Sequence, residues 1–173
     1  MTTTAKLHVR EGGQDLFYSY ADLMAFHGFG FPGGVAHGFK VLERALPLLA
    51  GGEAPERREI HIQTAFRGPG ARDAFEMVTR SLTENRYLVD AALERPDLGE
   101  TLERYIFVLS YRGTTVRLQL REGLVRDEFI ALGRKADRTA EEELRLTYLK
   151  QEMAERLLAT AAAKVYDVTY SSS

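Results

Sequence analysis

The chain has 173 residues, no cysteine, 45% hydrophobic content, and 23 basic against 25 acidic side chains, for a formal net charge of −2. These values exclude disulfides, thiolate metal ligands and a cysteine nucleophile, and give no overall electrostatic attraction to nucleic acid. No stretch nears the roughly 20 apolar residues of a membrane span, and Met1-Thr2-Thr3-Thr4-Ala5-Lys6 lacks the apolar centre of a signal peptide, so the expectation is a cytoplasmic protein with neither a nucleic-acid nor a membrane partner.

In chain order, residues 1–18 read as an extended arm. Residues 20–26 carry Leu23, Met24 and Phe26 and predict a short helix stopped at Gly28. Residues 34–49 predict a stronger helix, with Val35, Phe39, Leu42, Leu46 and Leu49 on one stripe. Gly51-Gly52 ends it. Residues 59–66 alternate, Ile60, Ile62 and Thr64 against His61 and Gln63, and predict a strand. Gly68-Pro69-Gly70 reads as a turn, followed by a helix over 72–82. Residues 87–93 fit a strand or a helix. Residues 105–111 and 114–120 flank Arg112-Gly113 as a β-hairpin, and 124–136 predict a further helix.

The last predicted element is long, over 139–164. Thr139 caps it with Glu142 at the capping-box position, and Leu144, Tyr148, Leu149, Met153, Leu157 and Leu158 form its apolar stripe. Such a helix needs a surface to cover, its own domain or a second copy, and a homodimer is expected. Ser171 to Ser173 read as a frayed end. Together these elements define an α+β fold: a mixed or antiparallel sheet with flanking helices over residues 1–138, then a long C-terminal helix and short tail over 139–173.

The densest chemical signal lies between the first two helices. His27-Gly28-Phe29-Gly30-Phe31-Pro32-Gly33-Gly34 sets four glycines and a proline behind one histidine. Glycine permits close backbone approach to a ligand, and the following helix start offers free N–H groups. His27 is a candidate acid–base group, or a helix-terminal residue bonding a carbonyl. His37 faces the same cavity, or solvent. Phe29 and Phe31 are core residues or pocket walls. Arg67 and Arg72 bracket residues 68–71 as a clamp for a carboxylate or phosphate, or as a solvated turn. Asp73 stands in the first turn of a helix, where its charge suits the helix dipole without any further role.

His27-Gly28, Pro32-Gly33 and Gly38-Phe39-Lys40 resemble the formylmethanofuran dehydrogenase E-subunit family. That family has a helix, a His-Gly-His-x-Cys-Pro-Gly loop, and a helix with a Gly-aromatic-basic triplet. Residues 60–66 look like its next strand, and Asp73-Ala74 looks like the end of its Cys-x-x-Asp-Ala segment. The hairpin 106–120 and Arg126-Asp127-Glu128-Phe129 follow in similar order, so the resemblance covers residues 20–136. The family's remaining metal-ligand positions, typically for zinc, fall here on Phe29, Phe31 and Gly70. Those side chains hold no lone pair for a metal.

The resemblance therefore implies a branch that retains the scaffold without the metal site, and hence without a zinc cofactor. The implied function is small-molecule binding, with a catalytic role open, in one-carbon or pterin-type cofactor metabolism. In that reading His27 and His37 are the catalytic candidates. Gly28, Phe29, Gly30, Phe31 and Gly33 line the ligand, and Arg67, Arg72 and Asp73 form the opposing polar wall. Two alternatives stand beside it: a metalloenzyme with a rebuilt histidine/carboxylate site drawing on His27, His37 and His61 to hold zinc, and a noncatalytic component of a larger complex, docking through its last helix.

Overall fold

The computed structural model describes residues 3–172; Met1, Thr2 and Ser173, the outer ends of the expected arm and frayed tail, lie outside the described residues. The architecture is α+β: a two-stranded hairpin, a five-stranded mixed sheet, and helices that include a long C-terminal one.

The expected N-terminal arm is instead a β-hairpin, β1 (Lys6–Glu11) and β2 (Gln14–Ser19). Gly12 and Gly13 turn it with φ of +57° and +80°, and their amides donate to the Glu56 carboxylate at 2.9 Å each. Leu7 and Val9 of β1 are buried in the core. Helix α1 (Tyr20–His27) follows at once, with Ser19 and Asp22 forming a capping box, and Gly28 ends it at φ +93°.

Helix α2 (Pro32–Leu49) is the centre of the molecule. It packs on helix α3 (Pro69–Thr79), on the C-terminal helix α5 (Ala140–Ala159), and on the face of the sheet. Both α2 and α3 open with a proline, whose missing N–H costs nothing at a helix start. The expected turn 68–70 is thus the first turn of α3, which also stops sooner than the sequence suggests. Arg80 terminates it in a left-handed conformation.

The sheet runs in the order β4-β3-β5-β6-β7. Strands β3 (His61–Thr64) and β4 (Tyr87–Val89) are parallel, and β5 (Ile106–Tyr111), β6 (Thr114–Leu120) and β7 (Tyr166–Ser172) add antiparallel neighbours. The Arg112-Gly113 hairpin forms as read from the sequence, with φ of 45° and 84° at its two turn residues. Strand β7 has no counterpart among the predicted elements. Ser171, expected to fray, pairs with Thr115, and Tyr166 at the start of β7 is fully buried.

Helix α4 (Asp127–Arg134) precedes α5, which ends at Ala159 rather than continuing to 164; a short α6 (Ala162–Val165) turns the chain into β7. The buried face of α5 is Leu146, Leu149, Met153, Ala154 and Leu157, whereas Leu144 and Tyr148 of the expected stripe are 72% and 55% exposed. No helix among the described residues is long and apolar enough to cross a membrane.

Candidate functional site

Close packing of α2 on α3 builds the site. A Cβ on Gly34 would stand 3.2 Å from Gly70 Cα, and one on Gly70 would stand 2.7 Å from Val35 N and 2.8 Å from Phe31 O. The two helix starts therefore touch backbone to backbone. Gly33 faces α5, where a Cβ would press the flexible end of Met153 at 2.2 Å and stand 3.2 Å from Lys150 O. Gly28 and Gly30 face open space. The glycine-rich loop thus owes Gly33 and Gly34 to helix packing and Gly28 to its positive φ.

This packing brings His27, at the end of α1, against the first turns of α3. His27 Nδ1 donates to Asp73 Oδ2 at 2.7 Å, with the imidazole 8% and the carboxylate 22% exposed. Arg72 Nε donates to the other Asp73 oxygen at 3.1 Å. The carboxylate fixes the imidazole tautomer. His27 Nε2 has no partner among the described residues and is not sealed from solvent.

The ring of Phe31 is 5.8 Å from that of His27, and Lys150 Nζ from α5 sits 4.3 Å from the centre of the Phe31 ring. Burial holds Lys150 below the ordinary lysine range; Arg138 adds to the shift and Glu143 opposes it. Phe31 and Lys150 in turn line a cavity of about 210 Å³ between α2, α3, α4 and α5. Its bed is Phe31, Phe66, Tyr105, Phe129, Ile130 and Met153, and its mouth carries Arg67, Arg104, Arg134 and Glu100.

Behind the bed lies His37. It is fully buried, shares a 2.7 Å hydrogen bond through Nδ1 with the Tyr166 hydroxyl, and packs its ring 4.6 Å from Tyr105 and 6.1 Å from Phe66. Burial lowers its pKa to about 3, so the ring is neutral. Its Nε2 is buried without a partner among the described residues.

Of the residues singled out from the sequence, His27 and Asp73 are brought together, and Phe31 and Arg67 reach the cavity. Arg67 is half-exposed and paired with Glu94 at 3.6 Å, and Arg72 is held by Asp73, so the two arginines do not form one clamp. Phe29 is 93% exposed, away from any wall. His37 lies behind the cavity rather than in it or in solvent. His61 is exposed on β3, and no group of three or more His, Asp or Glu among the described residues is placed to hold a metal ion.

Sequence reasoning missed Lys150, Tyr105 and the arginines of the mouth. Lys150 reads as the solvated face of an amphipathic helix, and no local pattern marks its approach to Phe31. No protein-family model matches the chain, and no curated protein matches it.

Proposed function

We propose that this chain is a small-molecule-binding protein with an acid–base group at His27, built on the scaffold of the formylmethanofuran dehydrogenase E-subunit family and acting without a metal ion. The observation that carries the reading is the His27–Asp73 pair at 2.7 Å, joined through Phe31 to a cavity of about 210 Å³. The Asp73 carboxylate on Nδ1 leaves Nε2 as the ring atom available to exchange a proton with a ligand. An apolar bed with a few polar groups at its edge is the usual form of a small-molecule site. In the resemblance to that family, Phe29 and Phe31 fall at positions of its metal ligands, and phenylalanine donates no lone pair.

The resemblance to the family suggests a ligand from one-carbon or pterin-type cofactor chemistry, and the cytoplasmic setting expected from the sequence is proposed with it. A second copy of the chain is the proposed partner, which the exposure of Leu144 and Tyr148 on α5 supports.

A ligand-observed NMR screen of pterins and aromatic acids tests the reading on protein purified without added metal. Gly133→Trp is the control: Gly133 lines the cavity, and a Cβ there meets no atom within 4 Å. Compounds that bind the wild type and not Gly133→Trp, at unchanged melting temperature, are the expected result. Binding that ignores Gly133→Trp, or appears only after zinc is added, contradicts it.

A further inference from the structure

The cavity described above leaves one charge unbalanced. Arg67 and Arg104 share Glu94, at 3.6 and 3.3 Å, and Arg134 meets Glu103 at 3.1 Å. Counting Lys150 with these arginines, and Glu100 on the wall with the two paired glutamates, four cations face three carboxylates. Arg67 and Arg104 divide one carboxylate between them, and Lys150 stands apart from these pairs. It has no carboxylate within ion-pair distance among the described residues, and its one hydrogen bond goes to Gly30 O at 3.4 Å.

Two further features point the same way. The first turns of α2 and α3 reach the wall through Gly34 and Gly70, and neither helix start is capped by a side chain. Tyr105 supplies an independent sign of a ligand. It is 3% exposed, its ring is fixed between Phe66 at 4.9 Å and His37 at 4.6 Å, and it lines the cavity. Its hydroxyl bonds to no described residue and is not sealed off, so it is free to bond a molecule in the cavity.

We infer that the ligand is a small planar monoanion, an aromatic or heteroaromatic carboxylate, with its ring on Phe31 and Phe66, its carboxylate drawn to Lys150, and a polar atom at the Tyr105 hydroxyl. One surplus charge suits a carboxylate better than a phosphate dianion. The volume, about 210 Å³, is below the roughly 300–1,000 Å³ of sites for larger ligands and excludes a dinucleotide. This assignment rests on the cavity reading and adds the ligand's charge and shape.

Calorimetric titration with benzoate, its neutral isostere benzamide, and inorganic phosphate tests it on the full chain. Benzoate is expected to bind at least about tenfold more tightly than benzamide or phosphate. Lys150→Met is expected to remove most of that preference. Tyr105→Phe, which breaks no hydrogen bond within the described protein, is expected to weaken benzoate binding about fivefold at unchanged melting temperature. Benzamide binding as tightly as benzoate, with both lost in Gly133→Trp, overturns the anion assignment and leaves the cavity reading standing. Benzoate binding unchanged in Gly133→Trp overturns both, as does the absence of binding by all three probes.

Discussion

His27 Nδ1 and Asp73 Oδ2, 46 positions apart in the chain, meet at 2.7 Å and tie the end of α1 to the second turn of α3. Both side chains are largely removed from water, so the bond is worth more than a surface ion pair. Loss of Asp73 leaves the imidazole desolvated and unpaired, and loss of His27 leaves the Asp73 carboxylate with Arg72 alone. Asp73→Asn and His27→Gln should each cost about 1–3 kcal/mol in urea unfolding. The double variant should cost less than their sum by roughly 1 kcal/mol or more. Strict additivity would show that the two side chains do not act as a pair.

The glycines of the loop separate by role. Gly70→Ala drives a methyl to within 3 Å of three backbone atoms and should destabilise the fold by about 3 kcal/mol, whereas Gly34→Ala meets backbone at 3.2 Å and should cost about 1 kcal/mol. Gly30→Ala meets nothing within 4 Å and needs no positive φ, so it should leave stability unchanged or raise it by about 0.5 kcal/mol. Thermal melts of the three variants distinguish packing glycines from a ligand-approach glycine. A large loss for Gly30→Ala would contradict the assignment.

His37 makes stability depend on pH with a definite sign. Its pKa falls to about 3 in the fold and returns to about 6.5 in the unfolded chain. Between those values the unfolded chain binds the extra proton, so stability rises with pH. The penalty is absent above pH ~6.5 and grows as pH falls toward ~3, to on the order of 4 kcal/mol. His37→Gln retains a polar partner for Tyr166 and does not titrate. Its urea midpoint should fall less steeply than that of the wild type between pH ~6.5 and ~4. Parallel slopes would contradict a buried neutral His37.

Phe29 and Phe31 are two residues apart and differ in exposure, at 93% and 40%. Phe29→Ser should change stability by no more than about 0.5 kcal/mol. Phe31→Ser removes the ring under Lys150 and beside His27, and should abolish the cavity's affinity for aromatic probes. Equal binding by the two variants would move the ligand away from Phe31.

Periodicity locates most of the fold because β3 and the β5–β6 hairpin bury alternate residues and α2, although buried nearly all round, still carries a helical apolar stripe. It fails where long-range pairing decides the outcome. Residues 6–11 and 14–19 become strands through the Gly12-Gly13 turn and its clip to Glu56, which lies outside the local window. Strand β7 resembles a tail because its serines and threonine carry no apolar run, yet β6 supplies a backbone partner to every residue from Tyr166 to Ser172. The site divides in the same way. His27, Phe31, Arg67 and Asp73 stand out by residue type beside glycine and proline. Lys150 and Tyr105 enter only through helix and sheet packing.

The most direct measurement is a crystal structure of protein purified without added metal, with elemental analysis of the same batch. An organic molecule lying on Phe31 in the cavity, with no stoichiometric metal, is the predicted result. A stoichiometric metal bound by His27 with newly recruited side chains, and no organic molecule in the cavity, would contradict it.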